Sequence, residues 1–235
     1  MIQFYAPDIL TDPSLGPQEA LHCVRVLRNK AGDMIRVTDG NGSVFMCRIL
    51  QADSRKASLE IVSRDKVSKS WNFNITIAVA PTKNADRMSW LVEKATEIGV
   101  DRICFFPSRF CERKAINVDR LKRVAISAMN QSLKANIPVI ENLDSFSNLR
   151  DLGGYKYFGY CDSSLPRLSF TKELIPAKDV SLAIGPEGDF SPEEVQSLLE
   201  SGFKAVTFGD ERLRTETAAL YGLSAIHILS EYFKP

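Results

Sequence analysis

Ile184-Gly185-Pro186-Glu187-Gly188-Asp189-Phe190-Ser191-Pro192-Glu193-Glu194 is the stretch of this 235-residue chain that says most about its architecture. An apolar run ends at Gly185, and a short turn containing glycine follows. Ser191 and Glu194 then have the S-x-x-E spacing of a helix capping box, with Pro192 at the first helical position. The segment is therefore predicted to be a strand that turns into a capped helix. In open α/β sheets such turns lie at the carboxyl edge, where ligands bind.

A second segment, Phe208-Gly209-Asp210-Glu211-Arg212-Leu213-Arg214-Thr215-Glu216-Thr217, repeats this pattern. An apolar strand pattern again ends in a glycine, and a helix pattern follows. Seven of the eight positions 210–217 are polar or charged, although a turn needs only a glycine and a cap. This excess favours a ligand-binding loop. The alternative, two ordinary capped turns, stays open on turn chemistry alone.

The residues around these loops alternate between strand and helix patterns from residue 73 to the end. Such alternation predicts a mostly parallel sheet covered on both faces by helices. Strands are expected at Ile75–Ala80, Arg102–Phe106, Tyr157–Tyr160, Ser181–Ile184 and Ala205–Phe208, and helices at Asp86–Ile98, Asp119–Leu133, from Ser191 onward and at Thr217–Tyr232.

The first 70 residues have a different pattern. Met34–Thr38 and Ser43–Leu50 flank the turn Asp39-Gly40-Asn41-Gly42 and predict a hairpin, and Ala57–Val62 alternates like a third strand. A helix is expected over Pro17–Asn29. These features predict a small β-barrel or sandwich. The polar segment Ser63–Ser70 is a plausible linker, so we expect two domains, residues 1–70 and 73–235.

Composition excludes several classes of protein. With 44% apolar and 25% charged residues, the chain has the composition of an ordinary globular protein. No apolar run approaches the roughly 20 residues of a membrane span, and the first residues lack the pattern of a secretory signal. Five cysteines with no C-x-x-C pair fit reduced thiols in the cytosol, and fit neither a metal site nor a disulfide framework. We therefore expect a cytoplasmic protein without metal or membrane partners.

The charge distribution suggests a polyanionic partner for the front of the chain. Residues 1–150 carry 22 Lys and Arg against 16 Asp and Glu, whereas residues 151–235 carry 8 against 13. Two basic sets are candidates for phosphate contacts, although solvated helix faces give similar patterns. The first lies on one side of the predicted N-terminal helix and the second in the α/β half: His22, Arg25 and Arg28, then Lys83, Arg87, Arg109 and Arg113.

The type of ligand in the two loops is only partly defined by the residues. Neither the dinucleotide fingerprint G-x-G-x-x-G nor the phosphate-binding P-loop is present. Glu187 and Asp189 also make the first loop a poor phosphate site. A neutral or cationic adenosine-type ligand, held by backbone N–H and C=O groups, fits better.

Taken together, these segments resemble the RsmE family of bacterial methyltransferases, which act on the imide nitrogen (N3) of one uridine in small-subunit (16S) ribosomal RNA. This sequence departs from the usual pattern at Asp189, where many relatives have glycine, and at Phe208, where leucine is usual. We expect a local change of turn at the first and tolerance at the second. The resemblance rests on Ile184–Ser191, Arg212–Ala218, His22-x-x-x-Val26-Leu27-Arg28, Pro81-x-Lys83-x-x-Arg87, Glu93–Gly99, and Gln131-Ser132 before Ile137-Pro138.

The resemblance implies a PUA-like β-barrel followed by a SPOUT α/β domain with a C-terminal trefoil knot. It also implies a homodimer and a bent S-adenosyl-L-methionine wrapped by the two loops and the strand end near Tyr160–Asp162. The residues expected to bind this cofactor are Ile184, Gly185, Pro186, Glu187, Gly188, Phe208, Gly209, Leu213, Arg214, Thr215 and Thr217.

Catalytic roles follow from the chemistry of the uracil imide, which must lose a proton before it attacks the methyl group. Arg214, with Arg212 second, is expected to stabilise the developing anion. Glu187 is a candidate base, although it is equally suited to a structural role. Two other functions remain open: a SPOUT methyltransferase for another RNA, such as a transfer RNA base or ribose, and a non-catalytic RNA-binding protein in ribosome assembly.

Overall fold

The computed structural model describes residues 2–162, 165–166 and 168–233. The described chain divides into two compact units. The first consists of residues up to Ser70 together with Ile126–Ile137, and the second of Trp71–Ala125 and the residues from Pro138 onward. The predicted division into two domains, residues 1–70 and 73–235, stays a prediction.

The first unit contains a mixed five-stranded sheet in the described residues, with the order β1-β3-β4-β5-β2. The hairpin predicted around Gly40 and Gly42 is confirmed, because β3 and β4 pair antiparallel across it. Apolar side chains such as Phe4, Val37, Phe45 and Leu59 form the core of this unit. The strands are β1 Gln3–Tyr5, β2 Ser14–Leu15, β3 Met34–Thr38, β4 Ser43–Gln51 and β5 Ala57–Lys66.

The helix predicted over Pro17–Asn29 is confirmed as an α-helix as far as Leu21 and as a π-helical turn as far as Val26, and it is wrong beyond that residue. Helix α1 covers only Pro17–Leu21, and a π-helical turn follows at His22–Val26. The Leu27 amide donates to the His22 carbonyl, the Asn29 amide donates to the Cys23 carbonyl, and Arg28 adopts a left-handed φ of 60°. These bonds end the helix early, while Cys23 and Leu27 stay packed on the core of the sheet. His22, Arg25 and Arg28 are exposed but do not share one α-helical face.

Residues 126–137 complete the first unit, which no sequence pattern indicated. The Gly42 amide donates to the Ala135 carbonyl, and the Ile137 amide donates to the Gly40 carbonyl. The side-chain amide of Gln3 donates to the Lys134 carbonyl at 2.7 Å. The segment therefore contacts the hairpin turn through backbone groups. Because every residue type has a backbone carbonyl, no residue pattern marks this pairing.

The second unit contains a seven-stranded parallel sheet in the described ranges, with the order β10-β12-β9-β11-β6-β7-β8. Its strands are β6 Ile75–Val79, β7 Arg102–Phe105, β8 Val139–Asn142, β9 Tyr155–Gly159, β10 Leu168–Ser169, β11 Val180–Ile184 and β12 Lys204–Thr207. Its helices are α2 Ala85–Ile98, α3 Val118–Gln131 (shared with the first unit), α4 Phe170–Glu173, α5 Pro192–Glu200 and α6 Thr215–Tyr232, with a 3₁₀ turn at Phe146–Asp151.

This sheet is buried on both faces, as its apolar runs predicted. All five residues of the central strand β11 are buried. Helix α6 lies so close to it that a Cβ at Gly222 would come 2.3 Å from Cδ2 of Leu182. The predicted strand–helix alternation is confirmed. The short elements β8, β10 and α4 were not predicted, because two to four residues do not form a readable period.

Two expectations from composition concern disulfide bonds and membrane-spanning helices. None of the five cysteines, all of which lie in the described ranges, forms a disulfide. No helix of the described residues is both long enough and apolar enough to cross a membrane.

Candidate active site

Three neighbouring parallel strands, β9, β11 and β12, end at the same edge of the sheet. The loops that follow these strands surround a cavity of about 640 Å³. This volume lies within the roughly 300–1,000 Å³ that hold drug- and cofactor-sized ligands. The cavity is lined by Gly159–Asp162, Ile184–Glu187, Asp189 and a continuous run from Val206 to Thr215, with Ala218.

The first loop is a tight turn fixed by the Asp189 side chain. The Asp189 amide donates to the Pro186 carbonyl, and Asp189 has a φ of 63°. Its carboxylate accepts from the backbone N–H of Cys161 at 2.9 Å, which ties the end of β9 to this loop. Burial raises the pKa of the Asp189 carboxyl. Aspartate is one of the few residues other than glycine that tolerate this conformation.

The predicted capping box after the first loop is present. The Ser191 hydroxyl accepts from the Glu194 amide, and the Glu194 carboxylate accepts from the Ser191 amide at 2.9 Å. The same carboxylate accepts from the Arg109 amide at 2.8 Å and from the Ser108 hydroxyl at 3.2 Å. Glu194 thus also holds the loop that follows β7.

The second loop is held by threonines at its two ends. The Thr207 hydroxyl accepts from the Gly209 amide and donates to the Gly209 carbonyl, and Gly209 has a φ of 124°, which favours glycine. At the other end, the buried Thr215 hydroxyl donates to the Gly185 carbonyl at 3.0 Å. This bond joins the second loop directly to the first.

Acidic residues outnumber basic ones among the described residues that line the cavity. Five carboxylates face two guanidinium groups: Asp162, Glu187, Asp189, Asp210 and Glu211 against Arg212 and Arg214. Such a site favours a cationic ligand over a phosphate.

The two arginines are in different situations. The Arg212 guanidinium donates to the Glu187 carbonyl at 3.4 Å. Arg214 is the N-cap residue of α6, and its side chain is exposed. Its guanidinium has no hydrogen-bond or ion-pair partner in the part of the chain that the structure describes. Within the described ranges, neither Glu211 nor Glu216 forms an ion pair with it.

Glu216 pairs with a different arginine. Arg87 Nε lies 3.6 Å from Glu216 Oε1, and Arg87 Nη1 lies 3.9 Å from Glu187 Oε1. The Glu216 side chain is only 8% exposed, and its Oε2 atom has no partner among the described residues. Arg87 thus connects the first loop to the start of α6 through two carboxylates.

The structure brings most of the predicted cofactor residues together around the cavity. Nine of the eleven line it; Gly188 and Thr217 do not. That these residues bind a cofactor stays a prediction. Several lining residues were not singled out as ligand contacts: Gly159, Asp189, Val206, Thr207, Asp210, Glu211 and Ala218. For two of them, Asp210 and Glu211, the high density of polar residues in the second loop had indicated a ligand-binding loop.

The second set of predicted RNA-binding residues lies at the same edge of the sheet. Lys83 pairs with Glu112 at 3.1 Å and Arg109 pairs with Glu193 at 2.9 Å, whereas Arg113 is exposed. Within the described ranges, no cluster of three or more His, Cys, Asp or Glu residues is arranged to hold a metal ion.

Comparison with known families agrees with this geometry. Residues 69–227 match a family model described as an RNA methyltransferase domain, and residues 15–62 match one described as an RNA methyltransferase PUA domain. Fold and cavity, with these matches, define the class: an RNA methyltransferase whose α/β unit is preceded by a PUA-like β unit.

Individual relatives narrow the family. Ribosomal RNA small subunit methyltransferase E of Aquifex aeolicus is 31% identical, over 81% of this chain and 82% of its own. The structure of a probable rRNA-methyltransferase from Porphyromonas gingivalis is 42% identical over both full chains, with a TM-score of 0.94. That of ribosomal RNA small subunit methyltransferase E from Neisseria gonorrhoeae, bound to S-adenosyl methionine, is 27% identical over 97% of this chain and 98% of its own, with a TM-score of 0.82.

The chain therefore belongs to the RsmE family of RNA methyltransferases. The predicted resemblance and the fold class, a PUA-like β domain followed by a SPOUT α/β domain, are confirmed. The trefoil knot stays a prediction.

Proposed function

We propose that this protein transfers the methyl group of S-adenosylmethionine to N3 of a uridine in 16S ribosomal RNA of the small subunit. The observation that carries the proposal is the acidic cavity at the carboxyl edge, bounded by two linked loops and by Arg214, whose guanidinium has no partner among the described residues. The names of the relatives, which act on small-subunit ribosomal RNA, support the substrate.

The residues of the cavity fit this cofactor in size and charge. S-adenosylmethionine supplies a methyl group that its positive sulfonium centre makes electrophilic. The excess of carboxylates suits a positive centre, and the backbone-rich first loop suits an adenosine. We assign binding to Ile184, Gly185, Pro186, Glu187, Gly188, Phe208, Gly209, Leu213, Arg214, Thr215 and Thr217.

Arg214 is the residue to which we assign stabilisation of the uracil anion. When the imide nitrogen loses its proton, negative charge spreads onto the two neighbouring carbonyl oxygens. The backbone of Arg214 is fixed by the start of α6, and its guanidinium pairs with no carboxylate of the described chain, so it can donate to one of these oxygens. Arg212 is held by the Glu187 carbonyl and is assigned a supporting role.

We propose that the Glu187 carboxylate accepts the proton of the uracil imide, directly or through a water molecule. Glu187 lines the cavity, and its side chain is 51% exposed, so water reaches it. The Arg87 guanidinium lies 3.9 Å from this carboxylate.

RNA contacts are assigned to both units. We propose that residues 1–70 form the RNA-binding domain, with His22, Arg25 and Arg28 facing phosphates, and that residues 73–235 form the methyltransferase domain. Lys83, Arg87, Arg109 and Arg113 are assigned contacts near the site. Because the proposed substrate is ribosomal RNA, we place the protein in the cytoplasm.

A homodimer is the last part of the proposal. An exposed apolar stripe on α6 supports it: Tyr221, Ile228 and Tyr232 are 47%, 64% and 79% exposed and recur at helical spacing. Light scattering of the purified protein tests this assembly, and a monomer at micromolar concentration contradicts it.

The function is tested on small ribosomal subunits from a strain that lacks the gene. The purified protein and labelled S-adenosylmethionine are added, and the RNA is digested to nucleosides for mass spectrometry. We expect one 3-methyluridine per subunit. A methylated ribose, or methylation of transfer RNA only, contradicts the proposal, and no transfer at all favours a non-catalytic RNA-binding protein.

A further inference from the structure

Phe110 is an exposed aromatic residue in a loop that is otherwise well fixed. It belongs to the segment that follows β7 at the carboxyl edge of the sheet, and 50% of its surface is exposed. Its neighbours Ser108 and Cys111 are 2% and 7% exposed. The chain therefore turns its small residues inward and leaves the large apolar one half in solvent.

The position of Phe110 is determined by side chains on both sides. Glu194 accepts from the Ser108 hydroxyl and the Arg109 amide, and the Lys114 ammonium donates to the Ser108 carbonyl at 2.6 Å. The Cys111 amide donates to the Ser108 carbonyl at 3.2 Å. These contacts fix the backbone on both sides of Phe110, so the loop that presents the ring needs no ordering before a ligand binds.

The ring lies directly beside the first loop of the cavity. A Cβ built on Gly188 would come 3.1 Å from Phe110 Cβ, and the residues on either side of Gly188 both line the cavity. The Arg109 guanidinium lies 5.8 Å from the centre of the ring. An aromatic surface and a cation thus lie beside the first loop of the cavity.

We propose that Phe110 stacks on a nucleobase of the RNA substrate at the mouth of the methyl-transfer cavity. This inference rests on the proposed function and adds a substrate-contacting residue to it. Stacking on an aromatic ring suits a single-stranded nucleotide, because every base has a π face. Arg113, exposed three residues further along and without an ion pair in the described structure, is placed to contact the adjoining phosphate.

The test compares three substitutions at this position, with small ribosomal subunits from a strain that lacks the gene as the probe. For Phe110→Ala we expect KM for subunits to rise about tenfold, in the range expected from losing one base–aromatic stack. Phe110→Trp keeps a π face and should stay within about twofold of the unmodified protein. Phe110→Leu keeps apolar bulk without a π face and should behave like the alanine variant.

Two controls separate stacking from other roles. The dissociation constant for S-adenosylmethionine, measured by calorimetry, should be unchanged in all three variants. Tyr155→Ala removes an aromatic side chain that is 47% exposed at the opposite, amino-terminal edge of the sheet, and should leave KM unchanged.

Three results overturn the inference. The first is a wild-type KM in Phe110→Ala, and the second is full activity in Phe110→Leu, which would mean that apolar packing suffices. The third is a change in oligomeric state that accompanies the loss of activity, which would make Phe110 a contact between copies. If the unmodified protein transfers no methyl group to subunits, the proposed function fails instead, whatever Phe110 does.

Discussion

At the scale of single residues, three arginines near the cavity differ in the groups that they contact. Arg87 contacts Glu216 and Glu187, and Arg212 donates to a backbone carbonyl. Arg214 is left with an exposed guanidinium beside the cavity. A buried glutamate that took Arg214 as its partner would hold that cation away from a substrate. Among the described residues no carboxylate pairs with Arg214, so its guanidinium is available to a substrate.

Arg214→Ala tests this division of roles. We expect turnover on small subunits to fall by about 10²–10³-fold, the usual effect of removing one donor to a developing anion. Arg214→Lys should recover only part of the loss, because an ammonium cannot reproduce the planar geometry of a guanidinium. Turnover is measured by methyl incorporation, and thermal unfolding checks the fold.

Arg150→Ala is the matched control, since it removes a guanidinium side chain that is 68% exposed and lies outside the cavity lining. It should leave turnover unchanged. Turnover of Arg214→Ala equal to that of the unmodified protein would show that this arginine has no part in catalysis.

Asp189 affords a prediction about pH and stability. Burial raises the pKa of its carboxyl above the unfolded value of 3.8, so its contribution favours the folded state fully below that pH. The contribution is lost as pH rises through the folded pKa. Asn tolerates the left-handed φ and keeps one acceptor oxygen, for the Cys161 amide, but loses the one that accepts from the Phe190 amide. Both bonds favour the ionised carboxylate, and burial outweighs them in raising the pKa. Asp189→Asn should therefore increase the free energy of unfolding at pH 7, by less than about 1 kcal/mol because water screens this half-buried group.

The measurement is urea unfolding of Asp189→Asn at pH 7 and at pH 4. The stability gain of the variant should shrink at the lower pH. Asp210→Asn, at an exposed carboxyl on the same cavity, serves as the control and should change stability by no more than about 0.5 kcal/mol. A variant that is less stable at pH 7 would mean that the ionised carboxylate contributes more through its hydrogen bonds than its burial costs.

At the scale of elements, helix α6 and strand β11 form the support of both loops. Strand β11 ends in the first loop, and α6 begins where the second loop ends. Their separation depends on Gly222, because a Cβ there would come 2.3 Å from Leu182. A glycine inside a helix normally costs about 1 kcal/mol relative to alanine, so close packing must compensate for it.

Gly222→Ala should destabilise the protein by about 1–3 kcal/mol, because the packing clash outweighs the gain in helix propensity. The cofactor should also bind more weakly, since α6 can relieve the clash only by moving away from β11. Chemical denaturation and calorimetry with S-adenosylmethionine measure the two effects. Ser224→Ala, two residues along the helix, reports propensity without a clash, and a more stable Gly222→Ala would refute the close-packing argument.

The sequence predicted the long elements of the α/β unit and missed features that depend on tertiary contacts. Helix α5 carries its own capping box, so its start at Pro192 was predicted from local chemistry alone. The π-helical turn at His22–Val26 has no local signal, because the packing of Cys23 and Leu27 on the sheet produces it. For the same reason, nothing in residues 126–137 indicated that they pair with the hairpin turn at Gly40 and Gly42.

The candidate site was predicted to a similar extent. Glycine-hinged loops at strand ends locate a cavity, and the crowded polar residues of the second loop mark it as a ligand site. Which arginine pairs with which carboxylate depends on the distances between α2, α6 and the first loop, and no spacing in one sequence gives these. The roles of Arg87 and Glu216 therefore emerged only from the structure.

At the scale of the whole molecule, the charge asymmetry predicts how RNA binding responds to salt. The basic first 150 residues should contact phosphates and release counterions, so affinity for small subunits should fall steeply as salt rises. Arg25 and Arg28 are exposed and make no ion pair in the described structure. Replacing both by alanine should lower the slope of log affinity against log salt by about 1–2.

Filter binding at several salt concentrations measures this slope. Lys56→Ala is the control, because its ammonium is already paired with Asp12 at 2.8 Å. It should leave the slope unchanged. An affinity that does not depend on salt, or an unchanged slope in the double variant, would exclude phosphate contacts by this part of the chain.

The central claim, that two linked loops enclose the methyl donor beside Arg214, is tested most directly by a crystal structure of the protein soaked with S-adenosylmethionine. We predict density for the whole molecule between residues 184–189 and 207–215, with its methyl group on the side of Arg214. Density at another place on the protein, or an empty cavity at a saturating concentration, would contradict the account.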